Sequence, residues 1–535
     1  TPTDKDKFFA RGKTWISEQQ GYAVAGGASN WGLFGQCYCF TEAGIGAGYT
    51  RIFSPSVVME ASGGIRTNHE AWSPYGSPNE IDKVLRSKTG LGSLGQWFPS
   101  SNVIGFIPRY SFGGVPSSAD VSYDDRFLTG GADTTISFND NLTVIRGGHS
   151  MKAGFSYYRL REYEGEQGVF SGTFAFGRDT NNPFDSNWAY SNAVLGNFQS
   201  YQEATARYGA NERQTVVEWF LQDSWKINRR LLMEYGMRFT WYNQMYPAKK
   251  GEQGILALDR YDPKKAPVFY RPAFDSTGKR MALNPLTGQF LAATYIGAFV
   301  PGTGDPGNGG VVSGDTSYPR GFQDQQPVLY GPRVGFSYDP FGKGKTAIRA
   351  AAAILYNYRL SKWNPTTKNP PVIFTPITYY GNLGTYLQSA GVLGPSNTNS
   401  YFRGSKTPTA YNLSFAIEQD LGRATLLNVS YAGTLGRHTM QSRNLNIIPY
   451  GARFLPQNQD PTNPGKPLPD NFMRPYPGYN NLTFYDPAFS SNYHALLVSL
   501  SRRFARGLQF GVAYTYSKFM TYTGIPIYRD RRVWS

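Results

Sequence analysis

Residues Leu231 to Tyr242 read Leu-Leu-Met-Glu-Tyr-Gly-Met-Arg-Phe-Thr-Trp-Tyr. Leu231, Met233, Tyr235, Met237, Phe239 and Trp241 fall on one set of alternate positions, and Leu232, Glu234, Gly236, Arg238 and Thr240 on the other. A period of two is the signature of an extended strand with one apolar and one polar face. Just upstream, Val217, Trp219 and Leu221 alternate with Glu218, Phe220, Gln222 and Ser224, and the polar Asn228-Arg229-Arg230 joins the two runs. Together they read as a β-hairpin.

The same unit recurs along the chain. Leu496, Val498 and Leu500 lead through Ala505-Arg506-Gly507 into Leu508, Phe510, Val512, Tyr514 and Tyr516. Tyr411, Leu413, Phe415 and Ile417 lead through Asp420-Leu421-Gly422-Arg423 into Leu427, Val429 and Tyr431. Val334, Phe336 and Tyr338 precede Asp339-Pro340-Phe341-Gly342, after which Ile348, Ala350, Ala352 and Ile354 alternate. Further turns are read at Arg146-Gly147-Gly148, at Ser54-Pro55-Ser56 and, more weakly, at Ser17-Glu18-Gln19. The alternation rule gives about seven hairpins and roughly fourteen strands.

Between the hairpins lie long segments rich in Pro, Gly, Asn and Asp, approximately 243–329, 357–408 and 434–491, without sustained periodicity. Short turns thus alternate with long loops. An outer-membrane barrel has this asymmetry because short turns face the periplasm and long loops the medium. Ten steps of ~3.3 Å from Leu231 to Trp241, tilted by about 40°, span about 25 Å, the height of the apolar band of such a barrel. Trp225 and Trp241 then mark opposite interfaces, with Trp219, Tyr235 and Phe239 completing the lipid-facing and girdle set. Glu218, Glu234, Arg238, Arg349 and Glu418, on polar faces, are the candidates to line a wet lumen. The expected fold is all-β: an antiparallel up-and-down transmembrane barrel, one domain over residues 1–535.

Composition agrees with an ordered β protein. Of 535 residues, 16% are aromatic and 17% charged, and Lys and Arg exceed Asp and Glu by 16. The mean hydropathy is −0.43, and no apolar run approaches the ~18 residues of a membrane helix. Barrel strands, apolar at every second position only, escape that test. The basic residues are dispersed in short clusters (Lys249-Lys250, Lys264-Lys265, Arg502-Arg503, Arg529 to Arg532), so lipopolysaccharide and lipid headgroups are the expected polyanionic partners, not nucleic acid.

Motifs for chemistry are weak. Gly342-Lys343-Gly344-Lys345-Thr346 resembles the end of a phosphate-binding loop, but Asp339 stands where a Gly is required and a strand follows. The four His (His69, His149, His438, His494) have no ligand spacing, and no Ser, His and Asp set assembles on spacing grounds. Cys37 and Cys39 admit a local disulfide, free thiols or, least favoured, a metal. Tyr379-Tyr380 and Tyr476 with Tyr479 could stack on a ligand or pack the loops. No cofactor and no catalytic residue is expected, and the chain does not read as an enzyme.

Four longer stretches carry a family likeness: Thr50 to Val58 (TRIFSPSVV), Arg146 to Phe155 (RGGHSMKAGF), Phe220 to Leu231 (FLQDSWKINRRL) and Gly331 to Gly342 (GPRVGFSYDPFG). In this order they resemble the barrel of the Oar-like TonB-dependent outer-membrane receptors. The resemblance spans nearly the whole chain. It implies a twenty-two-stranded barrel in a Gram-negative outer membrane, plugged by an N-terminal domain and opened through TonB. On that reading the sequence is an internal piece: no plug, TonB-contacting box or carboxypeptidase-like extension precedes Thr1, about eight strands would follow Ser535, and the terminal residue is not the usual aromatic. The expected function is TonB-dependent uptake of a scarce solute of siderophore, peptide or glycan class. The alternatives are an adhesin or surface-assembly barrel without transport, and a secreted all-β carbohydrate-binding protein.

Overall fold

The computed structural model describes residues 4–24, 27–28, 34–123, 126–358, 366–404 and 406–521. The charged cluster at Arg529 to Arg532 lies outside them. Thirteen long strands follow one another: β1 (Asp6–Gly21), β2 (Gln36–Ser54), β3 (Val57–Pro74), β4 (Gly131–Arg146), β5 (His149–Gln167), β6 (Tyr208–Lys226), β7 (Leu231–Tyr242), β8 (Leu329–Tyr338), β9 (Thr346–Tyr356), β10 (Thr409–Gly422), β11 (Thr425–Asn444), β12 (Tyr479–Ala505) and β13 (Leu508–Thr521). Each pairs with its sequence neighbours, all antiparallel. With Tyr246–Pro247 beside β6 and Ser396–Tyr401 beside β12, they form one 15-stranded sheet. The sheet is open: β1 and β13 are each paired along one edge among the described residues.

Strand order explains the register. At the Arg506-Gly507 turn both φ angles are positive, 54° and 76°, the backbone twist that lets a two-residue turn join two right-twisted strands. In the hairpin of β6 and β7, Trp219 pairs with Phe239, Leu221 with Met237 and Val217 with Trp241. A slip of one residue would turn every aromatic to the polar side. Trp219 and Phe239 stack with centroids 5.5 Å apart and an interplanar angle of 8°.

Burial is inverted relative to a water-soluble sheet. Leu221, Tyr235, Val334, Phe415, Leu496 and Val512 on the apolar faces are exposed. The buried apolar clusters lie instead in the long connections 22–35, 75–130, 168–207, 243–328, 357–408 and 445–478, or at strand ends beside them. Phe106, Phe127 and Phe170 centre one, and Phe174, Phe198, Tyr201 and Tyr386 another. A four-stranded sheet joins three connections: Arg109–Ser111, Thr173–Ala175, Asn197–Gln202 and Ile377–Asn382. These connections therefore build a folded cap at one end of the long strands. Among the described residues no helix is long and apolar enough to cross a membrane.

Two details differ from the sequence reading. Ser17-Glu18-Gln19 is not a turn but the interior of β1, where Ser17 pairs with Phe40 and Gln19 with Tyr38. Polar residues on both faces there imitate a turn. Among the described residues there are six short turns and thirteen long strands, beside the expected about seven and fourteen. The segment 434–491 is strand at both ends, because β11 runs to Asn444 and β12 begins at Tyr479; where both faces are polar, the alternation is invisible. Of the alternatives left open for Cys37 and Cys39, the structure has the local disulfide, within β2.

Candidate functional site

The polar face of the sheet holds charges in cross-strand groups. Glu218, 7% exposed, accepts from Arg238 Nη1 at 3.0 Å and from Thr240 Oγ1 at 2.9 Å. The Arg238 guanidinium lies 5.0 Å from the centroid of the Phe220 ring. That ring in turn covers Gly154, where a Cβ would stand 2.4 Å from its edge. The unit explains how a phenylalanine fits a polar face: it is roofed by a cation and floored by a glycine. Glu234 accepts from Ser224 Oγ at 3.1 Å. Arg349 and Glu418 meet at 3.2 Å, and Asn428 Nδ2 donates to the same carboxylate.

A third group was not singled out from the sequence. Lys13 Nζ and Arg66 Nη2 grip the two oxygens of Glu42 at 3.0 and 2.7 Å, across β1, β2 and β3. Its members are far apart in sequence and meet only through register, so no local signal announces them. Beside the first group, Gly236 and Gly335 leave a depression of about 340 Å³ whose rim includes Phe220, Glu234, Arg238 and Arg333. Register places Glu218, Glu234, Arg238, Arg349 and Glu418 on one face, where Glu218 meets Arg238, Arg349 meets Glu418, and Glu234 bonds Ser224 apart from both pairs. The register puts Trp219, Trp225, Tyr235, Phe239 and Trp241 together on the opposite face, where Trp219, Tyr235 and Trp241 are exposed.

On that same apolar face, near a short turn, lies a polar exception. His149 Nδ1 and Asp223 Oδ2 are 2.6 Å apart, Tyr235 donates its hydroxyl to the same oxygen at 2.9 Å, and Trp225 stacks on the imidazole at 5.1 Å. No nucleophile accompanies this pair among its recorded contacts. It fits an interfacial anchor in which aromatic and polar groups meet the headgroup zone.

The cap is held by buried polar ties as well as by aromatic packing. Glu203, fully buried, accepts from Trp97 N at 2.7 Å, Phe98 N at 2.8 Å, Gln96 Nε2 at 3.0 Å and the Tyr201 hydroxyl at 2.6 Å. It fastens the 75–130 connection to the 168–207 connection. Arg126 binds Glu164 at 2.6 Å and Glu70 at 3.3 Å, over the Trp72 ring. The loop tyrosines that could have met a ligand are structural. Tyr379 packs on Tyr295, and Tyr476 on Tyr261. Tyr479 is buried and donates to Asn308 O at 2.7 Å. Burial, followed by a hydrogen bond to Asp179, holds the Tyr380 hydroxyl well above the usual tyrosine range; burial pushes Tyr386 up to about 12.

An open antiparallel sheet with a bare apolar face, paired charges on the other and all its large connections at one end is the arrangement of a membrane barrel wall. The sequence matches the family described as outer membrane beta barrel domain over residues 1–529. The chain belongs to that family. It is therefore an outer-membrane protein, a barrel and not an enzyme. No curated protein matches this barrel. Solved structures that resemble it include the outer membrane transporter YddB from Escherichia coli, with 9% identity and a TM-score of 0.48, covering 97% of this chain and 46% of that one. The ferric-catecholate import receptor Fiu from E. coli has 9% identity and a TM-score of 0.41, covering 97% and 56%. The FrpB iron transporter from Neisseria meningitidis has 11% identity and a TM-score of 0.36, covering 97% and 53%. The chain spans about half the length of these structures. Family membership sets aside the secreted carbohydrate-binding alternative.

Proposed function

We propose that this outer-membrane barrel is part of an Oar-like, TonB-dependent transporter that takes up a scarce solute. In this reading the apolar face meets hydrocarbon, the groups around Glu42, Glu218 and Glu418 line an aqueous passage, and the capped end faces the medium. The observation that carries it is the separation of faces: Leu221 is 61% exposed while its neighbour on the polar side, Phe220, is folded under Arg238. A wall that keeps Arg, Lys and Glu paired stays wet and open without presenting an unpaired charge. The four quoted motifs, in their order, support the Oar-like subtype. Coupling to TonB belongs to the same reading, with residues 1–535 acting as a single barrel domain.

The test compares the medium around cells that express the full-length protein with that around its deletion strain, each with and without TonB. Selective depletion of a solute that needs both the protein and TonB is expected. Loss of surface attachment on deletion, with identical depletion, would establish the adhesin reading instead.

A further inference from the structure

The two most exposed aromatic rings among the described residues sit four positions apart in the 445–478 connection. Tyr450 is 90% exposed and Phe454 87%. Among the described residues of the cap the next most exposed rings, Tyr22, Phe184 and Phe274, are only about half exposed. Both border a pocket of about 470 Å³. Gly451, at φ 80°, turns the chain between them and starts the short turn Ala452–Phe454.

The rim also carries Ile447, Ile448 and Pro449, and its polar members supply both donors and acceptors. Arg453 Nη2 and Asp470 Oδ1 are 2.8 Å apart, each about half exposed. Asn444 Nδ2 donates to Asn481 Oδ1 at 2.8 Å, and Arg474 closes the rim. The frame beneath is fixed before any ligand arrives. Asn446 donates to the carbonyls of Tyr476, Tyr479 and Asn480 and accepts from Tyr476 N. Arg474 donates to Asn446 O, and Asn458 Nδ2 to Ala452 O. A fixed frame means that binding does not have to order the loop first.

From this geometry we infer that the pocket bordered by Tyr450 and Phe454 is a saccharide-binding site. A pyranose presents C–H faces that lie on aromatic rings and hydroxyls that both donate and accept. The rim offers rings, a carboxylate, amides and guanidinium groups. An anionic ligand is a poorer fit because Asp470 already answers Arg453, and a purely apolar ligand would strip water from Asp470, Asn444 and Asn481 without replacing their hydrogen bonds. The inference rests on the orientation proposed above, with the cap in the medium. It does not depend on transport.

The full-length protein in outer-membrane vesicles is applied to an array of immobilised neutral, amino and uronic-acid oligosaccharides. Retention by at least one class is expected. Tyr450→Ala and Phe454→Ala each weaken it about tenfold or more, the loss of one stacked ring. Val194→Ala, removing another highly exposed apolar side chain (88%) from a different connection, leaves retention unchanged. Heat-modifiable migration in each variant checks that the sheet is folded. An array on which the parent protein binds no saccharide overturns the proposal, as does equal retention by the two ring variants or retention by phenyl-agarose alone. Because binding is read without energised uptake, these outcomes are independent of TonB-dependent depletion.

Discussion

Glu203→Ala tests whether the cap is a cooperative unit in its own right. The substitution removes four acceptor contacts from a fully buried position. Two of the donors left behind are the backbone N–H groups of Trp97 and Phe98. A buried donor without a partner costs about 1–3 kcal/mol, and two of them, partly relieved by entering water, give about 3 kcal/mol of local destabilisation. At 1.4 kcal/mol per factor of ten, the amides of Trp97 and Phe98 should exchange about a hundredfold faster with solvent deuterium. Glu203→Gln keeps one carbonyl oxygen as acceptor and should lie between. Hydrogen exchange with mass spectrometry on the full-length protein in outer-membrane vesicles measures both, using amides of β6 and β7 as internal controls. Unchanged exchange at Trp97 and Phe98 would refute the tie. Loss of protection across β6 and β7 together with the cap would refute its independence from the wall.

Leu221→Arg places a charge on the apolar face and should cost about 2–4 kcal/mol near the middle of the membrane, lowering the folded fraction seen as heat-modifiable migration; Gln222→Arg, one position on, should be tolerated. Arg238→Met leaves Glu218 buried without its cation, a loss of about 3–5 kcal/mol, and adding Glu218→Gln should recover much of the urea midpoint. Asp339, in the turn between β8 and β9, accepts from the N–H groups of Gly344, Gly342 and Phe341, and these bonds hold its carboxyl below the usual range. A depressed folded pKa stabilises the turn above the ordinary value near ~4 and is lost as pH falls through the folded value, so protection of the Gly344 amide should fail only in acid, and Asp339→Asn should remove the pH dependence. Reducing the Cys37–Cys39 bond, which encloses one residue within a single strand, should lower stability by no more than about 1–2 kcal/mol, read as a small shift in the urea midpoint.

Alternation made the strands legible because each barrel strand writes both environments into consecutive residues. Leu231 to Tyr242 is readable alone, and its pairing with Val217 to Trp225 follows from the short turn. The signal fails where the environment does not alternate. Ser17 to Gln19 in β1 and β12 before Ser491 carry polar or aromatic residues on both sides, and from sequence they read as turn and loop. The polar groups were half legible: Glu218 and Arg238 could be placed on one face, yet that Arg238 would lie over Phe220, or that Lys13 and Arg66 would share Glu42, depends on register between strands. The cap was least legible. Its sheet takes three or more residues from each of four segments between Arg109 and Asn382, and pairings over such separations leave no periodic trace. The exposure of Tyr450 and Phe454, against the burial of Tyr479, is likewise a property of the assembled loops.

Because the greasy nuclei of this protein are gathered in segments that the strands merely deliver, they have nothing to condense on until the staves stand side by side. Phe106 and Phe170 lie in connections separated by β4 and β5, so the register of those two strands decides which parts of the cap face each other.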